Sequence, residues 1–201
     1  MKIGIMGGTF DPIHLGHLAT AEAVRESFSL DEILFIPAAR PPHKLDKIIT
    51  DEQHRLAMTI LATRSNKFFR VSDMELRRTG LSYTLDTMNE LHETFGRTTE
   101  LFFIIGADSL ADLKKWHAAR ELVAKCHFIA TTRQGVDVDF AAVEKFFGAA
   151  ANEHIHRVTT PGLEISSTDI REKILRGRSI KYLVPEAVEE YILREKLYCG
   201  G

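Results

Sequence analysis

Two strings in the chain carry side chains whose types and spacing suit work on phosphate. The first is Gly7-Gly8-Thr9-Phe10-Asp11-Pro12-Ile13-His14-Leu15-Gly16-His17. It leaves an apolar run over 2–6 that reads as a buried strand. It enters a periodicity at Leu15, Leu18, Ala21, Val24 and Phe28 that predicts a helix over 15–28. Gly7 and Gly8 allow a sharp turn and a close backbone approach to a ligand. His14 and His17, three residues apart, project to one side of the helix start. Unpaired N–H groups and the positive end of the helix dipole favour an anion there. Two imidazoles beside such donors suit the phosphate oxygens of a nucleotide, and Gly16 between them removes bulk that would hold a ligand off. A structural turn with two packed or solvated histidines is the plainer reading. Zinc is another, since His-x-x-His supplies two ligands, but no cysteine or carboxylate stands at a spacing that completes a set. The dinucleotide fingerprint Gly-x-Gly-x-x-Gly and a phosphate loop ending in Gly-Lys-Ser/Thr are both absent.

The second string is Ile165-Ser166-Ser167-Thr168-Asp169-Ile170-Arg171. Hydroxyls just before a helix cap its free N–H groups, and Asp169 in the first turn favours the dipole. Taken alone this is a well-capped helix start. Arg171, one turn in, adds a guanidinium fork that can grip phosphate beside those hydroxyls.

The elements that must position these strings alternate along the chain. Strands are expected over 2–6, 32–38, 68–76, 100–106, 126–132 and 154–160. Helices are expected over 15–28, 51–64, from Leu85 to Phe95, over 110–125, 138–151, 168–176 and 186–197. Thr50 with Gln53 offers a capping box for the 51–64 helix, whose Leu56, Ala57, Ile60 and Leu61 share a face. Alternation of this kind implies βαβ units. The expected fold is α/β: a Rossmann-like, doubly wound, mainly parallel sheet with a helical C-terminal appendage. One domain over 1–201 is expected, with an α/β core to about 165 and C-terminal helices from about 166. In such sheets ligands bind beyond the carboxyl ends of the strands at the topological switch point, where the first string would lie.

Composition sets the outer bounds. With 201 residues, 44% hydrophobic and 27% charged, the chain can bury a sizeable core and is not mainly disordered. A formal net charge of −2 lacks the basic excess of a dedicated nucleic-acid binder. No apolar run approaches the ~20 residues a membrane span needs. The opening residues show no secretory apolar region, and two cysteines make no disulfide framework. A cytoplasmic protein without nucleic-acid or membrane partners is expected; oligomeric state stays open, a homo-oligomer included.

The first string resembles the Gly-Gly-Thr-Phe-Asp-Pro-x-His-x-Gly-His signature of the nucleotidyltransferase superfamily that shares the His-x-Gly-His motif. Within it the chain is most similar to the bacterial nicotinate-nucleotide adenylyltransferases, over nearly its whole length and with the motifs in order. The resemblance implies adenylyl transfer from ATP to nicotinate mononucleotide, giving nicotinate adenine dinucleotide and pyrophosphate in NAD biosynthesis. It implies Mg²⁺ carried mainly by the ATP phosphates, with no protein metal site. His14, His17, Lys44 and Arg171 are the catalytic candidates. ATP would meet Gly7, Gly8, Thr9, Phe10, His14, His17, Gly106, Asp108, Ile165, Ser166, Ser167, Thr168 and Arg171.

The acceptor side is less self-evident from the residues. Pro41-Pro42-His43-Lys44 is a stiffened loop with a basic pair. The resemblance implies that Lys44 contacts phosphate during transfer. It also implies that Thr84 helps recognise the pyridine carboxylate, and that Trp116 stacks on the ring with His117 beside it. Asp108, at a strand's carboxyl end, could bond ribose hydroxyls or merely cap the next helix. Where the family often has Arg-Pro-Gly, this chain has Arg133-Gln134-Gly135, and Arg133 is carried as a substrate-binding candidate. Three other readings compete: transfer to a different acceptor such as phosphopantetheine, a module that senses ATP without turnover, and a class I aminoacyl-tRNA synthetase. The chain is too short, and too poor in basic surface, for the last.

Overall fold

A computed structural model describes residues 1–39, 49–132 and 140–199. Lys44 and Arg133 lie outside the described residues. Six strands are described: β1 (Lys2–Gly8), β2 (Glu32–Pro37), β3 (Phe69–Val71), β4 (Glu100–Gly106), β5 (His127–Thr132) and β6 (Ile155–Thr159). They form one sheet in the order β3-β2-β1-β4-β5-β6, and every pairing is parallel. Parallel neighbours need crossovers, and helices supply them. Those in the first half are α1 (Leu15–Ser27), α2 (Glu52–Thr63), α3 (Met74–Arg77) and α4 (Thr84–Phe95). After β4 come α5 (Ala107–Asp112), α6 (Ala119–Lys125), α7 (Phe140–Phe147), α8 (Ala149–His154), α9 (Ser167–Leu175) and α10 (Glu186–Arg194).

The sheet is buried on both faces because its strands are apolar on both. On β4, Leu101, Phe103 and Ile105 enter one core cluster while Phe102 and Ile104 enter the other, as the two-residue strand period requires. Ile170 of α9 and Val188 and Ile192 of α10 share the second cluster with Met6 and Ile13. The C-terminal helices are therefore anchored in the core beneath the first string. Among the described residues no helix is long and apolar enough to cross a membrane.

Several elements differ from the sequence expectation. The strand expected over 68–76 is only Phe69–Val71, after which Met74–Arg77 turns as a short helix. Helix 110–125 is broken into α5, a 3-10 turn at Leu113–Lys115 and α6, with Ala118 in a left-handed conformation at the break. Gly148, at φ 63, splits the helix expected over 138–151. Asp51, and not Thr50, caps α2: its carboxylate accepts the Gln53 N–H at 2.8 Å.

The inward face of α2 also differs. It carries Arg55, Met58, Thr59, Ala62 and Thr63, while Ile60 is 49% exposed. A hydrophobic count misses this face because its largest residue is a buried arginine and two others are threonines. The hydroxyls of Thr59 and Thr63 bond back to carbonyls one turn earlier, which lets them stand in an apolar layer.

Candidate active site

β1 pairs with β2 on one side and β4 on the other, so successive crossovers run in opposite directions from the β1/β4 boundary. A cavity of about 1200 Å³ opens beyond the carboxyl ends of these two strands. Gly7, Gly8, Thr9, His14 and His17 line it from the β1 side. Gly106 and Asp108 line it from β4, Thr84 from the start of α4, Trp116 and His117 from the break before α6, and Ile165 from the approach to α9.

His14 stands at the N-cap of α1, and His17 one turn in. Their rings stack with centroids 3.7 Å apart. The His14 backbone N–H donates to Nδ1 of His17 at 3.2 Å, so that nitrogen is unprotonated and the ring's own proton sits on Nε2. His14 is 7% exposed, and burial pulls its pKa down to about 4. Its Nδ1 is buried without a hydrogen-bond partner. Gly16 lines the cavity between the two histidines, and a Cβ there would also lie 3.0 Å from Nδ1 of His14.

Phe10 does not line the cavity. Its ring is 2% exposed and supports the loop from beneath, edge-on to His17 at 5.2 Å and tilted against Phe35. A Cβ on Gly8 would come within 2.8 Å of that ring.

The second string meets the first directly. Ser167 Oγ donates to the Pro12 carbonyl at 2.8 Å, and Arg171 Nη1 donates to the Asp11 carbonyl at 2.7 Å. Ser166 caps α9 by accepting the Asp169 N–H, and Thr168 Oγ1 accepts from Arg171 Nη2 at 3.3 Å. Of this string only Ile165 lines the cavity; Ser167 and Arg171 make the join to residues 11–12, while Ser166 caps α9 and Thr168 holds Arg171.

On the acceptor side, Trp116 is half-buried and meets Phe103 and Phe128 edge-on at 6.0 and 6.3 Å. It is a core residue and a cavity wall at once. His117 is exposed, with its ring 4.5 Å from that of Tyr83. Glu75, which the sequence gave no reason to single out, also lines the cavity. Burial pushes its carboxyl pKa up, while the Thr87 hydroxyl donates to it at 2.6 Å.

Arg55 is a second residue missed in the sequence. It is 1% exposed and donates to the carbonyls of Thr50, Thr9 and Ala38 at 2.7–2.9 Å. One guanidinium thereby ties the loop after β1, the end of β2 and the entry to α2. Such a buried cation persists because its donors are used and the Asp11 carboxylate faces it. Among the described residues, no group of three or more His, Cys, Asp or Glu side chains is placed to hold a metal ion.

Comparisons with known proteins agree with this geometry. Residues 5–173 match the family described as cytidylyltransferase-like. A protein named probable nicotinate-nucleotide adenylyltransferase, from Thermoanaerobacter sp. (strain X514), is 50% identical over 98% of this chain and 94% of its own length. One of the same name from Moorella thermoacetica is 48% identical over 98% and 91%. The fold is similar to that of Plasmodium falciparum nicotinic acid mononucleotide adenylyltransferase complexed with NaAD: TM-score 0.79 and 24% identity over 98% of this chain and 97% of that one. The chain belongs to the cytidylyltransferase-like nucleotidyltransferases and, within them, to the nicotinate-nucleotide adenylyltransferases.

Proposed function

We propose that the chain joins ATP and nicotinate mononucleotide into nicotinate adenine dinucleotide and pyrophosphate. The observation that carries this reading is the join of the two phosphate-suited strings at the sheet's switch point, through Arg171 to Asp11 and Ser167 to Pro12. The names of the relatives support the choice of acceptor. So does the wall of Thr84, Trp116 and His117 around one part of the cavity.

In this reading the acceptor's phosphate oxygen attacks the α-phosphorus of ATP and pyrophosphate leaves, so no protein nucleophile is required. Rate enhancement comes from alignment and from donors that meet the charge developing on the transferred phosphate. His17 contributes its Nε2–H and His14 its ring beside it. Arg171 supplies fixed positive charge, and Lys44 contacts phosphate during transfer. Gly7 and Gly8 let the backbone approach the nucleotide, and Asp108 meets its ribose. Thr84 recognises the pyridine carboxylate, while Trp116 stacks on the ring. Mg²⁺ would be carried on the ATP phosphates, with Glu75, Asp108 and Asp112 the described carboxylates that line the cavity and could meet its water shell; when bound it would neutralise phosphate charge. We assign the reaction to the cytoplasm, in keeping with two free cysteines, one of them exposed.

The test is pyrophosphate release by a His17→Ala variant whose fold is checked by circular dichroism. Turnover should fall by at least ~10²-fold, the scale of losing one transition-state donor. Near-normal turnover would remove the mechanism.

A further inference from the structure

Asp11 lies at the centre of the join between the two strings, and its carboxylate is engaged from a distant part of the chain. It is 6% exposed. The Tyr198 hydroxyl donates to its Oδ1 at 2.8 Å, and the Thr50 N–H donates to its Oδ2 at 3.3 Å. The Asp11 carbonyl takes the hydrogen bond from Arg171, and the Thr50 carbonyl takes one from Arg55. Tyr198 does not line the cavity; its hydroxyl also meets Met58 Sδ and Thr50, and its direct route to the site is through Asp11.

The backbone of the C-terminal segment is bent to deliver this hydroxyl. Lys196 and Tyr198 adopt left-handed conformations, φ 52 and φ 63, although neither is glycine. Each costs an L side chain roughly 1 kcal/mol or more, so the bend persists only because its contacts hold it. Burial and the facing Asp11 carboxylate raise the phenol's pKa, so it stays a proton donor throughout the working range.

We propose that Tyr198 is a positioning residue for adenylyl transfer: its hydroxyl fixes the Asp11 carboxylate, and Asp11 in turn sets the loop that carries His14 and His17 and the anchor of Arg171. This rests on the transfer reading above. Without the hydroxyl, Asp11 keeps a buried carboxylate with one oxygen unsatisfied. The 9–13 loop must then shift to find another donor or water.

The test compares Tyr198→Phe with Tyr191→Phe. Tyr191 also spends its hydroxyl on a partner of the N-terminal half, Nδ1 of His54 at 2.8 Å, but that bond joins α10 to α2 without touching the 9–13 loop. Both variants lose one tyrosine hydrogen bond from the same C-terminal segment, so a general loosening of that segment would appear in both. Thermal melts should show Tyr198→Phe the less stable, because its lost bond goes to a buried carboxylate and that of Tyr191 to an imidazole, so kcat and ATP affinity are compared at a temperature where both variants are folded. Only Tyr198→Phe should lose about tenfold in kcat, the size of one hydrogen bond to a charged group, with the KM for the mononucleotide within about twofold of wild type. ATP affinity by calorimetry, which needs no turnover, should weaken several-fold in Tyr198→Phe alone. The proposal is overturned if kcat and ATP affinity of Tyr198→Phe stay within about twofold of wild type, or if Tyr191→Phe loses as much. A wild-type chain that binds ATP but releases pyrophosphate with no pyridine mononucleotide contradicts the transfer reading instead, and the calorimetric comparison then decides the role of Tyr198.

Discussion

The imidazoles of His14 and His17 lie stacked 3.7 Å apart, held in register by the His14 N–H that donates to Nδ1 of His17. The contact fixes the tautomer of His17 and keeps its Nε2–H as the ring's donor. His14 is uncharged at rest for a separate reason: its ring is buried, and burial disfavours the charged imidazolium.

His14 should therefore make stability depend on pH. Its folded-state pKa of about 4 lies below the ordinary imidazole value of 6.5, so the unfolded chain takes up this proton first as pH falls. Its contribution is complete above 6.5 and is lost as pH drops toward 4. The stability of wild type relative to His14→Gln should fall by about 3 kcal/mol between pH 7 and pH 4. Urea melts of both proteins across that range give the difference directly. A difference independent of pH would contradict the assignment.

Gly16 should tolerate no side chain if the His14 ring is to keep its place. A Cβ at 3.0 Å from Nδ1 and 3.1 Å from Cε1 forces the ring aside, though the helix itself gains from alanine. Gly16→Ala should keep or slightly raise Tm and lose at least about tenfold in kcat. Unchanged kcat would show that the stacked geometry is dispensable.

Arg55 should be a stability residue far out of proportion to its charge. Replacing it with methionine leaves three carbonyls without their donor and Asp11 without its facing cation. The expected cost is about 3–5 kcal/mol in urea denaturation. Lysine should recover little, because a single ammonium cannot reproduce the fork. A loss under about 1 kcal/mol would mean that the loop holds itself.

Trp116 divides its surface between the core and the cavity, which separates two readouts. Trp116→Phe keeps an aromatic ring against Phe103 and Phe128 but offers the ligand a smaller face. The KM for nicotinate mononucleotide should rise about tenfold or more while that for ATP stays within about twofold. A rise in both would place Trp116 outside the acceptor subsite.

Much of this molecule was legible in the sequence for a physical reason. β1 and β4 are largely apolar runs, and β1 feeds a turn and helix start marked by glycine and histidine, residue types that stand out against any background. The order of strings along the chain then located the switch point. Residues that act as hidden polar supports were not legible. Arg55 sits on a helix face that a hydrophobic count assigns to solvent, and Glu75 and Tyr198 have no spacing that marks them. Asp11 was quoted within its motif, but its partners Thr50 and Tyr198 lie 39 and 187 residues away. Pattern rules reach one or two helical turns, and such pairings lie beyond them. The broken helix before Trp116 was missed for a related cause: Ala118 takes a left-handed conformation that nothing in its own side chain favours.

The central claim is that the cavity joins an adenylyl group to a pyridine mononucleotide. The most direct measurement is pyrophosphate release from ATP and Mg²⁺ by the purified chain. It should be run with nicotinate mononucleotide, nicotinamide mononucleotide, phosphopantetheine or no acceptor, and reported as kcat/KM. Release should require an acceptor and be fastest with nicotinate mononucleotide, with no turnover of phosphopantetheine. Release at the same rate without an acceptor, or a preference for phosphopantetheine, would contradict it.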